Sequence, residues 1–319
     1  MQNLVLRGRY KKDGKLIKFF NTGSGVSLCF KGKKISFKLS SILQHCYVDI
    51  IKDFDFNQKE KYLVEQNTIV TVEFNDNNQH FIDLVKVNEA KDTTLVLESI
   101  EFDGEILKYS RKADKFVKVY GDSSIAGYGI LAHDGEEDIH KSDGVENFCF
   151  RALYSLGYDY DIFTGSGWGL TFSAYTDPKE IGIENYTENM CIKSNEKWVS
   201  KKADLLIISL GTNDMAYILE NLSKKDELIS KFIHSYGELI KKERKNNSSL
   251  PVLMVYGSLK EEHVYKLIEQ TYEELSKEID NLYLVKLPGD NTAINFHSYI
   301  SSHKEMSDVL KKKILSIIG

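Results

Sequence analysis

The sequence predicts two domains of different class: an all-β, jelly-roll-like sandwich over residues 1–110, then an α/β domain over 111–319 built on a five-stranded, mainly parallel, doubly wound sheet. Three observations carry this. Up to about Leu107 the apolar residues alternate in short runs between polar turns, with no convincing helical period. Beyond Lys115 short continuous apolar runs alternate with amphipathic stretches, the pattern of strands covered on both faces by helices. Between Gly104 and Lys115 lies a charged segment poor in apolar residues, which marks the boundary.

In the first half the expected strands are Leu16–Phe20, Val26–Phe30, Lys34–Leu39, Tyr47–Ile51, Thr68–Phe74, His80–Val87 and Thr94–Phe102. Turns such as Lys12-Asp13-Gly14 and Phe102-Asp103-Gly104 separate them and favour a sandwich over a closed barrel. The run Asn75-Asp76-Asn77-Asn78-Gln79 is a strong turn signal, so the strands flanking it are expected to pair as an antiparallel hairpin. In the second half the buried strands are expected at Phe116–Tyr120, Tyr160–Phe163, Leu205–Leu210, Val252–Tyr256 and Leu282–Leu287. Ile229, Phe232, Ile233, Tyr236 and Ile240 share one helical face, as do Val264, Leu267, Ile268, Thr271 and Leu275. A final helix from about Ser301 turns Met306, Val309, Leu310, Ile314 and Ile317 to the core.

Composition narrows the function classes. At 42% hydrophobic and 28% charged residues the 319-residue chain is an ordinary globular protein, without an apolar run long enough to cross a bilayer. A net charge of -5 with lysines and glutamates interspersed argues against a nucleic-acid surface. Cys29, Cys46, Cys149 and Cys191 are scattered without C-x-x-C spacing, as reduced buried thiols would be, so neither a zinc site nor a disulfide framework is indicated. The stretch Met1–Arg7 lacks the features of a secretion signal, and the sequence as given reads as cytoplasmic.

In a doubly wound sheet ligands bind at the carboxyl ends of the strands, so the residues following each strand carry the chemistry. The first strand leads into Gly121-Asp122-Ser123, the second into Thr164-Gly165-Ser166-Gly167-Trp168-Gly169, the third into Gly211-Thr212-Asn213-Asp214, and a loop after the fifth holds Asn295-Phe296-His297. Taken singly, each of these is more often a turn former, a cap or a surface histidine than a functional group. Together, in this order, they resemble the block order of the SGNH/GDSL hydrolases. The N-terminal half narrows the resemblance. A β domain that opens with Arg7-Gly8-Arg9-Tyr10 and carries His80-Phe81-Ile82-Asp83-Leu84-Val85-Lys86-Val87-Asn88-Glu89, followed by Gly121-Asp122-Ser123 and Gly127-Tyr128-Gly129, is similar to the two-domain acetyl esterases of carbohydrate esterase family 2.

That resemblance implies a serine esterase that removes O-acetyl groups from a carbohydrate with neither a metal nor another cofactor. Ser123 would be the nucleophile and His297 the base that takes its proton. The oxyanion would be met by the backbone N–H groups of Ser123 and Gly167 and the side-chain amide of Asn213. Asp122 and Asp214 are expected to tie their turns together by accepting backbone N–H bonds, and Trp168 and Tyr128 are candidates to touch substrate, Trp168 being equally suited to buried packing. His303, on the following helix, is expected to pack rather than to act as base.

The sequence departs from the superfamily where an acid would orient the histidine. Residues 294 and 295 are Ile and Asn, and Ser298 stands where a proline is usual. The resemblance implies that a Ser-His dyad held by a backbone carbonyl replaces the triad; Asp290 reaches His297 only if its loop folds back. Two other readings stay open on sequence: an esterase or acyltransferase acting on a peptide, metabolite or envelope precursor, and a glycan-binding protein without catalysis. Sequence is silent on oligomeric state.

Overall fold

The computed structural model describes residues 3–44, 46–110, 113–133, 139–192 and 194–319, and its chain divides into two compact units, 1–113 and 114–319. The expected boundary at 110/111 falls on Arg111 and Lys112, which lie outside the described residues.

The first unit is two antiparallel sheets. One has the order β1 (Val5–Arg7), β4 (Gly25–Lys31), β9 (Gln79–Lys86), β6 (Cys46–Lys52), β7 (Glu60–Val64), with β11 (Glu105–Leu107) also on β4. The other runs β2 (Tyr10–Asp13), β3 (Leu16–Phe19), β10 (Thr93–Phe102), β5 (Lys34–Leu43), β8 (Thr68–Glu73). Period-two alternation builds the core. In β5, Ile35, Phe37 and Leu39 point inward while Lys34, Ser36 and Lys38 face away, and they meet Leu28, Phe30, Ile50 and Leu84 of the other sheet.

One expectation needs correction. The strands flanking Asn75–Gln79 do not form a hairpin: β8 pairs with β5, β9 pairs with β4 and β6, and the turn carries the chain from one sheet to the other. A turn signal specifies reversal only, and here pairing within separate sheets lets Val70 and Val72 share the buried core with Ile82 and Leu84. The strands β1, β2, β7 and β11 carry no strand pattern in the sequence. They are short or charged edge strands, in which burial imposes little pattern.

The second unit holds a parallel sheet of β12 (Phe116–Gly121), β13 (Asp159–Thr164), β14 (Leu205–Ser209), β15 (Val252–Tyr256) and β16 (Leu282–Lys286), in the order β13-β12-β14-β15-β16. All five expected strands form. Its helices are α1 (Ser123–Ala126), α2 (Phe148–Leu156), α3 (Thr212–Glu220), α4 (Lys225–Glu243), α5 (Glu262–Leu275) and α6 (Ile300–Ile318). Phe232, Tyr236 and Ile240 of α4 and Val264, Leu267 and Ile268 of α5 share one core cluster with Leu206, Ile208 and Met254 of the sheet. The chain steps from β12 to β13 on one side, then crosses back past β12 to β14 on the other. Ligands of doubly wound sheets bind at the carboxyl ends of the strands where the order reverses in this way, and Ser123 follows β12 at that point.

Candidate active site

The turn after β12 places Ser123. Gly121 ends the strand with no room for a side chain, since an added Cβ would come within 2.2 Å of Ile125. Asp122 caps α1, its Oδ1 accepting the Ser124 N–H at 3.0 Å, so Ser123 is the first helical residue and its side chain stands at the sheet edge. Burial, reinforced by the charge of Asp214, raises the Asp122 carboxyl to about 7.

Ser123 Oγ lies 2.7 Å from His297 Nε2, although the two residues are 174 positions apart. The other ring nitrogen, Nδ1, faces the carbonyl oxygens of Ile294 at 3.1 Å and Asn295 at 3.0 Å. Two carbonyls can only accept, so Nδ1 carries the proton and Nε2 presents its lone pair to the serine hydroxyl. To aim both carbonyls at one nitrogen the backbone bends sharply. Asn295 (φ 50°) and Phe296 (φ 61°) sit in the left-handed region, which costs a non-glycine residue about 1 kcal/mol or more. Burial lowers the His297 pKa below 6.5, opposed by the two carbonyl hydrogen bonds.

Asp290 does not reach the imidazole. Its Oδ1 accepts the Thr292 N–H at 3.1 Å, the Thr292 hydroxyl at 3.1 Å and the Tyr299 N–H at 3.3 Å, while Oδ2 takes the Ser302 hydroxyl. Ser298 donates to the carbonyls of Ser258 at 2.5 Å and Asp290 at 3.0 Å, and accepts the Asp290 N–H at 2.8 Å. The acid thus pins the neck of the loop that carries His297. Tyr128 braces the same loop from across: its hydroxyl accepts the Asn295 amide at 3.1 Å and its ring centroid lies 5.1 Å from that of His297. Gly129 at φ 60° lets the loop approach, because a Cβ there would meet Ile294 Cγ2 at 2.2 Å.

After β13, Trp168 N–H bonds to Gly165 O at 3.1 Å, closing a turn whose third residue is Gly167 at φ 83°, a conformation that favours glycine. Asn213, 5% exposed at the start of α3, donates through Nδ2 to Trp168 O at 3.1 Å, leaving its second amide hydrogen available. Asp214 accepts the N–H groups of Leu170, Thr171 and Phe172 at 2.8, 2.8 and 2.9 Å, stapling the loop to α3. Burial raises its carboxyl to about 6 despite those bonds.

Trp168 is turned inward. It is 5% exposed, edge-on to Tyr186 with centroids 5.4 Å apart, because its turn directs the indole into the core. The exposed aromatics are instead Phe296 (68%), beside His297, and Tyr175 (79%), whose Cβ lies 3.3 Å from where a Cβ on Gly167 would sit. Sequence alone had no signal for either, since an exposed aromatic looks like a buried one in a string of letters. His303 is buried in α6 against Phe148, whose N–H donates to Nδ1 at 3.2 Å, and burial lowers its pKa to about 3. That makes it a packing residue.

Residues 6–109 match the family model for the N-terminal domain of carbohydrate esterase family 2. A search among curated protein sequences finds no match. Among solved structures, the chain is similar to a family two carbohydrate esterase from Clostridium thermocellum in complex with cellohexaose (20% identity, 98% of each chain, TM-score 0.84). It is similar also to the acetyl xylan esterase Est2A of the rumen bacterium Butyrivibrio proteoclasticus (16% identity, 99% of this chain and 96% of that one, TM-score 0.87). More distantly it shares its fold with the salicylyl-acyltransferase SsfX3 of a tetracycline biosynthetic pathway (10% identity, 99% and 96% coverage, TM-score 0.68). The N-terminal match and the fold shared along nearly the whole chain identify this protein as one that resembles the two-domain esterases of carbohydrate esterase family 2.

Proposed function

We propose that the protein is a serine esterase that hydrolyses O-acetyl or other short acyl esters on a carbohydrate, using a Ser123–His297 dyad. The observation that carries this reading is the 2.7 Å contact between Ser123 Oγ and a histidine nitrogen whose ring partner faces two carbonyls. His297 Nε2 takes the hydroxyl proton as Ser123 Oγ bonds to the ester carbonyl carbon. The oxyanion is met by the N–H groups of Ser123 and Gly167 and the free amide hydrogen of Asn213. The proton on Nε2 then passes to the departing sugar oxygen, and a water repeats the sequence in reverse to release the acid and regenerate Ser123. Phe296 and Tyr175 offer exposed ring faces for a sugar beside the histidine and the oxyanion loop.

The test is acetate release from acetylated xylan and from an aryl acetate, wild type against Ser123→Ala, with a fluorophosphonate to label Ser123. Loss of both turnovers in the variant, and of the label, is expected; a variant that retains the wild-type rate overturns the reading. The fold shared with a salicylyl-acyltransferase favours acyl transfer as the second reading. Transfer of acetyl to an added sugar or amine that outpaces release of free acetate would select it.

A further inference from the structure

At the opposite end of the parallel sheet from Ser123 lies a cleft of about 770 Å³ that the esterase chemistry does not use. It lies within the size range of small-molecule sites, about 300–1,000 Å³. Six lysines line it, Lys118, Lys197, Lys201, Lys202, Lys242 and Lys245, against two acids, Glu188 and Glu243, in a chain whose net charge is -5. We propose that this cleft is a second binding site, for a small molecule bearing a carboxylate or a phosphate.

The lysines come from three separate pieces of chain that face one another. Lys118 projects from β12, Lys242 and Lys245 lie at the end of α4 and just beyond it, and Lys197, Lys201 and Lys202 belong to the extended segment before β14. Cations at the end of α4 are explained by the negative end of its dipole. Nothing of that kind explains three more on the segment opposite, and like charges facing each other across a cleft repel unless a counter-charge enters.

Internal pairing uses up only part of this charge. Lys118 is matched by Glu243 at 2.6 Å on the buried floor, and Glu243 also accepts the Tyr120 hydroxyl. Lys201 meets Asp159 at 2.5 Å. Lys197 bonds to the neutral oxygen of Asn189 at 2.8 Å, and Lys242 to the Thr187 hydroxyl at 3.1 Å, with Glu188 3.7 Å away and solvent-exposed. Lys202 and Lys245 have no acidic partner among the described residues. The segment before β14 is itself held in place, with Trp198 N–H on Glu188 O at 2.8 Å and Trp198 Nε1 on Asp161 at 3.2 Å, so the cleft is walled by an anchored indole as well as by lysines.

The experiment titrates the Ser123→Ala chain, in which hydrolysis cannot consume a probe, with inorganic phosphate and separately with digalacturonate at low salt, reading amide NMR shifts and calorimetry. The expected result is saturable binding of at least one probe, with shifts centred on residues 197–203 and 242–247. Binding should weaken about tenfold or more in a Lys202→Glu/Lys245→Glu chain, and weaken likewise when salt shortens the screening length. That double variant should turn over an aryl acetate normally when Ser123 is present. Binding of phosphate alone assigns a phosphorylated ligand, and binding of digalacturonate alone a carboxylated one. No binding of either probe at millimolar concentration, equal binding of neutral cellobiose, insensitivity to the charge reversals, or shifts centred on His297 would each overturn the proposal. A failure of the esterase reading would show in acetate release and leave this titration untouched.

Discussion

His297 sits between a serine hydroxyl and two backbone carbonyls, and no carboxylate bonds to its ring among the described residues. Carbonyl dipoles hold the tautomer but stabilise an imidazolium less than a full negative charge would, and burial works in the same direction. The consequence is a base that stays neutral below the ordinary histidine value of 6.5. With the folded pKa depressed, the active form persists as pH falls and is lost only when pH passes below that depressed value. The pH profile of kcat/KM should therefore show its acid limb below 6.5; a limb at or above 7 would contradict the burial argument. At Asn213 one amide hydrogen is already spent on Trp168 O, so the other does all the work proposed for the side chain. Asn213→Ala should lower kcat about 100- to 1,000-fold with KM little changed, the usual effect of removing one oxyanion donor. Steady-state kinetics on an aryl acetate separates the two.

The loop from Gly289 to Tyr299 is the element on which the site depends, since it must hold two left-handed residues against their preference. Asp290 supplies much of that restraint by accepting from Thr292, Tyr299 and Ser302 at the loop neck. Asp290→Ala should cost about 1 kcal/mol of stability, because Thr292 is exposed and Tyr299 and Ser302 are half-buried, so water replaces part of what they lose. As a positioning residue it should also lower kcat and move the acid limb toward 6.5, as a loosened histidine becomes better solvated. Asp290→Asn, which keeps an acceptor for Thr292 and Tyr299, should recover part of the rate. A change in melting temperature with an unmoved pH profile would show a purely structural role. Gly129→Ala attacks the same loop from below, because its Cβ would strike Ile294, and it should reduce kcat without touching either member of the dyad.

At the scale of the molecule, each unit carries its own core, and the reason is visible in the strand patterns. In the sandwich β5 alternates, one of its faces buried and the other open, while β13, β14 and β15 are buried along their whole length between helical layers. Phe37, fully buried where the two sheets of the first unit meet, should cost about 3–5 kcal/mol when changed to Ala, measured by denaturant unfolding.

The sequence by itself determined the two fold classes, the five parallel strands and the loops that carry Ser123, Gly167, Asn213 and His297. Each of these is written in local pattern: apolar period, turn chemistry, and motif spacing after a strand. Only the tertiary structure decided the rest. It paired the strands around Asn75–Gln79 into different sheets, buried Trp168 while exposing Phe296 and Tyr175, and replaced a missing acid with two carbonyls while setting Asp290 to brace their loop. Strand pairing, side-chain exposure and the direction of a carbonyl all depend on which distant segments pack together, and a backbone carbonyl has no letter in the sequence. The same is true of the lysine cleft, whose residues read as separate solvated runs until the fold turns them toward one another.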